Sequence, residues 1–119
     1  CAFADAPGED GVVHDESRIA YHRAHLAAVA DALASGANVR SYHAWSLYDN
    51  FEWASGYRPR FGIVHVNYKT QQRTLKRSAE WYRDFIRSAH ASRAARRTAD
   101  APPAVELRNP DVIRPATPA

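Results

Sequence analysis

The sequence predicts an α/β fold from three patterns that follow one another along the chain. A helical spacing of apolar residues comes first, a short run of β-branched and aromatic residues follows, and a second helical spacing comes after a long loop. Helix, strand, loop and helix in that order form a piece of an α/β fold. A single strand between two helices would keep unpaired edges, so we expect the chain to pack against a larger body.

The first predicted helix follows a loop over residues 1–14. Asp15 is a residue type that favours the position just before a helix. The helical face has spacings of three and four residues and comprises Ile19, His22, Leu26, Val29 and Leu33. Gly36 stands where a glycine commonly ends a helix.

Two strand-like segments flank an aromatic-rich loop. Residues 39–47 mix β-branched and aromatic side chains and predict a buried strand. Residues 48–60 form the loop, and residues 61–68 alternate enough to predict a second, short strand.

A second helix and a tail complete the chain. The spacing of the helix is carried by Leu75, Ala79, Tyr82 and Ile86. The helix runs into an Ala/Arg stretch, and the proline-rich sequence from residue 100 onward predicts a disordered tail. We therefore divide the chain into a folded part, residues 1–87, and a helix end with its tail, residues 88–119.

Composition limits the classes of protein that the sequence can represent. A chain of 119 residues with 45% hydrophobic residues is one globular domain at most. The net charge of +3 arises wholly in residues 87–119, so it does not predict a nucleic-acid partner. No apolar run approaches the ~20 residues that span a bilayer, which predicts no membrane partner. One cysteine fits a reducing compartment, and we expect a cytoplasmic location.

The segment with the most chemistry is WSLYDNFEWASGY, residues 45–57. A sugar ring has an apolar face and a rim of hydroxyls, so its site needs an aromatic platform with hydrogen-bond partners at the edge. Trp45 and Trp53 can supply the platform, and the Glu52 carboxylate can accept from two hydroxyls at once. The alternative is an aromatic core crossing, which aromatic clusters more often form. An acid between Phe51 and Trp53 weakens that alternative, because it is costly to bury without partners.

Three segments together resemble family-one glycoside hydrolases: WSLYDNFEWASGY, then RPRFGIVHVNY, then RTLKRSAEWY. The resemblance extends upstream through HDESRIAYHRAHLAAVADALASGANVRSYHAWSL and covers residues 1 to about 86. It implies a (β/α)₈ TIM barrel, with the active site on the loops at the C-terminal ends of the strands. This chain would then be the C-terminal portion of the barrel: the end of the strand-7 loop, helix 7, strand 8 and helix 8.

The resemblance also implies roles in a glycone pocket. Trp45 would stack on the sugar ring, and Glu52 would accept from its O4 and O6 hydroxyls. Trp53 would meet O3, and Phe61 would close the pocket wall. The implied ligand is a β-glucoside or a cello-oligosaccharide, with β-galactosides and β-fucosides as alternatives. A 6-phosphorylated sugar is disfavoured, because Glu52 would repel the phosphate.

The two carboxylates of a retaining glycosidase do not match any acid of this chain. The family nucleophile lies in Thr-Glu-Asn-Gly, and the residues that follow that motif resemble those from Cys1 onward; the acid/base lies further upstream in Asn-Glu-Pro. We therefore expect a fragment with no catalytic residue, no cofactor and no metal. A carbohydrate-binding relic and a standalone small α/β protein remain alternative functions.

Other polar residues have plainer interpretations. His22 and His25 lie three apart on one helix, but no third ligand is visible at a suitable spacing, so we assign them to the helix surface. Asp49 and Asn50 fit hydrogen bonds that brace the loop.

Overall fold

The computed structural model describes residues 5–99, which form two helices and a small antiparallel sheet. The elements are α1 (Glu16–Ala34), β1 (Val64–Val66), β2 (Arg73–Leu75) and α2 (Arg77–Ala99), with one 3₁₀ turn at Trp53–Ser55. Neither helix in this range is long and apolar enough to cross a membrane. The predicted disordered tail falls outside the described residues.

Helix α1 confirms the first predicted helix and its end. Gly36 has φ of +89°, its N–H donates to the Leu33 carbonyl, and the Ala37 N–H donates to the Ala32 carbonyl. This pair of bonds is the Schellman arrangement, in which a glycine takes the left-handed conformation that other residues avoid. The buried residues of the helix are Arg18, Ile19 and His22, whereas Leu33 of the predicted face is 49% exposed.

Asp15 precedes α1 as predicted, but its carboxylate does not cap the backbone of that helix; within α1 it pairs only with the Arg18 side chain. Its Oδ1 accepts from the backbone N–H of Ser78, at 2.8 Å, in the first turn of α2. The first N–H groups of a helix have no partner within it, so Asp15 satisfies one of them from a distant part of the chain. The residue therefore joins the starts of the two helices.

The prediction of a strand over residues 39–47 is wrong for this structure. No strand is assigned between α1 and β1, and the first half of the segment is mostly exposed. A strand requires a neighbour that pairs with its backbone groups. Only the end of the segment meets one: Ser46 N–H donates to the Phe61 carbonyl, and Ser46 accepts from the Ile63 N–H.

Strand β1 confirms the short strand predicted over residues 61–68, although it is only three residues long, and it forms a hairpin with β2, which was not predicted. Val64 pairs with Leu75 and Val66 with Arg73, and all three residues of β1 are buried. The turn between the strands is braced by the Asn67 side chain, which accepts from the N–H groups of Lys69 and Thr70. Strand β2 was missed because its three residues stand beside the cationic start of α2 and have no alternating pattern.

The helices pack through an aromatic contact. His22 on α1 stacks on Tyr82 of α2 at 6.2 Å between ring centroids, and its Nδ1 lies 2.7 Å from the Tyr42 hydroxyl. Burial lowers the pKa of His22, which favours the neutral ring.

One apolar face of this part of the chain is uncovered. Leu47 is 57% exposed and Leu75 55% exposed, and Ile86 on α2 lies in the same groove. Contiguous apolar surfaces of this kind mark contacts with further protein.

Candidate glycone site

The loop between residues 45 and 61 presents the four residues predicted to bind a sugar. Trp45 is 64% exposed and Trp53 is 85% exposed, so both indoles stand on the surface. Glu52 is half-buried, and its Oε1 is a buried oxygen without a hydrogen-bond partner. A buried carboxylate oxygen normally has a donor, so Glu52 is prepared to accept one.

Glu52 is held through its backbone rather than its side chain. Its N–H donates to the Gly56 carbonyl at 2.8 Å, and its carbonyl accepts from the Ser55 N–H at 2.8 Å. The 3₁₀ turn that begins at Trp53 closes this short loop. The Glu52 carboxylate therefore extends from a closed turn, and its Oε1 remains free to accept a hydrogen bond.

Trp53 has an unusual backbone conformation. Its φ is +45°, in the left-handed region that bulky residues rarely adopt. Such outliers persist only where the surrounding structure enforces them, and they cluster at functional sites. Here the conformation places a largely exposed indole directly after Glu52.

Phe61 is brought next to Trp45, although the two lie at opposite ends of the loop. The Phe61 carbonyl accepts the N–H of Ser46 at 3.0 Å, and the Trp45–Ser46 peptide bond is cis. Phe61 itself is half-buried. The four predicted residues thus belong to one loop whose two ends are hydrogen-bonded together.

Asp49 holds that loop closed, and this confirms the bracing role predicted for it. Its Oδ1 accepts from the Gly62 N–H at 3.0 Å and from Lys76 Nζ at 2.9 Å. Its Oδ2 accepts from Arg60 Nη1 at 3.1 Å and from the Val66 N–H at 3.3 Å. Four donors satisfy a carboxylate that is 4% exposed.

The sequence reasoning missed the charges that surround Asp49. Lys76 is fully buried and also meets Asp5 at 2.7 Å. Asp5 in turn pairs with Arg18 at 2.6 Å, and Arg18 pairs with Asp15. Buried charges are tolerated only when they are paired, and here the pairs link the loop to the starts of both helices.

A row of aromatic rings flanks the loop on the side of Arg60. The guanidinium of Arg60 lies 4.2 Å from the centre of the Tyr68 ring, which is a cation–π contact. Tyr68 meets Tyr57 edge to face at 4.7 Å, and Tyr57 meets Phe51 at 5.3 Å. Burial raises the pKa of Tyr68, so its hydroxyl stays protonated and donates to the Asn50 carbonyl.

His22 is 2% exposed, so the surface position predicted for it is wrong, whereas His25 is exposed on α1 as predicted. His25 Nδ1 lies 2.8 Å from the Tyr21 carbonyl, one turn earlier on α1. Burial lowers the pKa of His65, which lies on β1. Within residues 5–99, no three acidic, His or Cys side chains come together in a way that could hold a metal ion.

The sequence profile of Glycosyl hydrolase family 1 matches residues 2–91, which is most of the chain. The chain belongs to Glycosyl hydrolase family 1. A β-glucosidase from Agrobacterium sp. is 57% identical over 74 residues, which are 62% of this chain and 16% of that enzyme. A 6-phospho-β-galactosidase from Staphylococcus epidermidis is 46% identical over 80 residues, which are 67% of this chain and 17% of that enzyme.

A solved structure of a family 1 β-glucosidase has the same fold over the matched region. The enzyme from Thermotoga maritima, in complex with isofagomine lactam, is 49% identical with a TM-score of 0.71. The match covers 72% of this chain and 20% of the enzyme. This family 1 chain therefore forms part of a TIM barrel, and it spans about a fifth or less of the length of these relatives.

Proposed function

We propose that this family 1 chain is the C-terminal part of a retaining β-glucosidase and supplies its glycone pocket. The substrate would be a β-glucoside or a cello-oligosaccharide that ends in a non-reducing β-D-glucosyl residue. The single observation that carries the proposal is the buried, unbonded Oε1 of Glu52 beside an exposed indole. An acceptor oxygen at the edge of an aromatic platform suits a sugar hydroxyl and the C–H face of its ring.

The proposed place in the barrel follows from the order of elements. Helix α1 would be helix 7, residues 39–47 would be strand 8, and α2 would be helix 8. The uncovered groove with Leu47, Leu75 and Ile86 would then pack on other parts of the barrel. Residues 39–47 would become a strand once neighbouring strands supplied their backbone partners. Residues 1–87 would be the barrel part, and residues 88–119 an addition to it.

The proposed reaction needs two catalytic carboxyl groups, which the acids in ion pairs within residues 5–99 would not supply. A retaining glycosidase uses two carboxyl groups about 5–5.5 Å apart, one as nucleophile and one as acid/base. Asp5, Asp15 and Asp49 are buried in ion pairs, which gives them structural roles. Glu52 would bind the sugar without taking part in bond cleavage. We also propose a cytoplasmic location, which the single cysteine supports.

The parent enzyme, meaning the full-length product of the gene that encodes this chain, tests the proposal directly. We expect it to hydrolyse p-nitrophenyl β-glucoside, whereas the isolated chain does so no faster than the uncatalysed reaction. Both carboxylate motifs should lie upstream of residue 1 in frame. A carbohydrate-binding relic would lack those motifs and hydrolyse nothing, although it could still bind glucose.

A chimera provides a second test with a matched control. Residues 1–99 of this chain would replace the corresponding fifth of the Thermotoga maritima enzyme, and the control would be that enzyme lacking its last fifth. We expect β-glucoside hydrolysis by the chimera and none by the control. A chimera that melts cooperatively yet hydrolyses no β-glucoside would contradict the proposal.

The relative from Staphylococcus epidermidis favours one second candidate, an enzyme for 6-phosphorylated galactosides. A negative Glu52 near O6 argues against it, because two like charges within a few ångströms repel strongly in a partly buried site. We expect the parent enzyme to prefer the unphosphorylated substrate. Faster hydrolysis of a nitrophenyl galactoside 6-phosphate than of the glucoside would reverse this assignment.

A further inference from the structure

The buried charges beneath residues 45–61, here named the glycone loop, connect the two ends of this loop to the starts of both helices. Asp49 stands near the beginning of the loop, and Arg60 and Gly62 stand at its end. The Asp49 carboxylate bonds to both of those end residues, at 3.1 Å and 3.0 Å. The segment between them, residues 50–59, includes Glu52 and Trp53. The buried Asp49 carboxylate thus fixes the distance between the two ends of the loop.

The charges around Asp49 make this closure rigid. Lys76 is fully buried, and its ammonium group lies between Asp49 and Asp5, at 2.9 Å and 2.7 Å. Arg60 is anchored a second time, because its Nη1 also donates to the Val66 carbonyl at 2.7 Å. A buried charge that lost its partner would carry a large desolvation cost. The two ends of the loop therefore cannot separate without exposing the Asp49 carboxylate to solvent or leaving Lys76 or Arg60 without its ionic partner.

A series of aromatic contacts also connects Arg60 to Phe51, the residue before Glu52. The Arg60 guanidinium stacks on Tyr68, and the Tyr68 ring contacts Tyr57. Tyr57 then contacts Phe51, which is the residue before Glu52. A displacement of Arg60 would pass through these rings to the backbone that carries the Glu52 carboxylate.

We propose that Asp49, with its charge partners Lys76 and Arg60, is a positioning residue that sets the place of Glu52 in the glycone pocket. This inference rests on the proposed function, and it adds residues that do not touch the sugar. Its physical basis is that a sugar hydroxyl accepts only a narrow range of hydrogen-bond distances and angles. A shift of about 1 Å in a group that binds substrate can reduce the rate by up to about 100-fold.

The test is Asp49→Asn in the parent enzyme, assayed on a β-glucoside and on the matching β-xyloside, which lacks the C6 hydroxymethyl group. Asn keeps the size of the side chain, but it cannot pair with Lys76 and Arg60 as an anion. We expect kcat/KM to fall about tenfold on the glucoside and about threefold or less on the xyloside. The control, Asp31→Asn, changes an exposed carboxylate on α1 and should leave both values unchanged.

A double-mutant cycle separates positioning from general damage. If Asp49 acts through Glu52, then Asp49→Asn should reduce glucoside kcat/KM by about twofold or less in a Glu52→Gln background. Equal losses on both substrates, or effects of the two substitutions that simply multiply, would overturn the proposal. So would a kcat/KM within twofold of wild type.

A milder variant decides the matter if Asp49→Asn does not fold. Arg60→Lys keeps the positive charge, but it loses the planar group that reaches both Asp49 and Tyr68. We expect a loss of about fivefold on the glucoside that is again larger than the loss on the xyloside. No selective loss with a folded Arg60→Lys enzyme would overturn the proposal. A wild-type parent that hydrolyses no β-glucoside would instead refute the proposed function.

Discussion

Replacing Glu52 by Gln in the parent enzyme should lower kcat/KM for β-glucosides by roughly 10- to 150-fold. Gln keeps the shape of the side chain but removes the negative charge that strengthens a bond from a hydroxyl. A hydrogen bond to a charged group contributes about 1.5–3 kcal/mol, and the same energy in the transition state gives that range of rate. Glu52 has a buried oxygen without a partner, so a substrate hydroxyl would not displace an internal bond there.

Part of this loss should appear in kcat. Hydroxyl contacts that tighten as the sugar ring flattens stabilise the transition state more than the ground state. Steady-state kinetics on a nitrophenyl glucoside and a nitrophenyl xyloside would measure the effect, and the loss should be smaller for the xyloside. Glu16→Gln, an exposed acid in the first turn of α1, is the matched control. Equal losses on both sugars would mean that Glu52 makes no special bond to O6.

The elements that the sequence predicted correctly are those whose signals are local. The spacing that starts at Ile19 and the glycine at position 36 lie within α1 and its end, and both predictions are confirmed. The loop over residues 48–60 was also predicted, and no helix or strand other than the short 3₁₀ turn lies in it. Its role as a sugar site stays a prediction that depends on the resemblance to family-one glycoside hydrolases. The family of the chain was confirmed by the profile match over residues 2–91.

The strand predicted over residues 39–47 shows where local signals fail. A strand is stabilised by pairing with other strands, and within residues 5–99 the backbone of the segment pairs with a second extended segment only at Ser46 and Leu47. Its β-branched and aromatic side chains describe how the segment would pack in a sheet. They cannot supply the neighbouring backbone that makes it a strand.

The buried charges were missed for a related reason. Lys76 stands in the run RTLKRS, and a lysine is almost never fully buried unless it is paired. Its burial depends on Asp49 and Asp5, which lie 27 and 71 residues away along the chain. Asp15 was predicted correctly as the residue before α1, yet its carboxylate also accepts bonds from Ser78, 63 residues later. Partners at such separations have no spacing pattern that a single sequence reveals.

Among the glycines of residues 5–99, Gly62 is the one whose replacement by alanine should reduce stability most. A Cβ atom there would lie 2.2 Å from the Asp49 nitrogen and 2.4 Å from the Tyr48 carbonyl carbon. Both atoms belong to backbone, which cannot rotate away as a flexible side chain could. Gly62→Ala would therefore force the two ends of the glycone loop apart, and we expect a loss of about 3 kcal/mol in the free energy of unfolding.

The same substitution should also reduce activity, because the backbone that must move carries Asp49. The Gly62 N–H donates to the Asp49 carboxylate at 3.0 Å, so the clash would disturb the bond that closes the loop. The control is Gly11→Ala, where a Cβ would meet nothing within 4 Å and only the positive φ of +74° opposes the change. We expect that strain to lower the free energy of unfolding by roughly 1–2 kcal/mol and to leave kcat/KM unchanged. Thermal melting and glucoside kinetics of both variants would test this prediction. Equal melting temperatures of Gly62→Ala and Gly11→Ala would contradict it, because the two ends of the loop could then separate at little cost in stability.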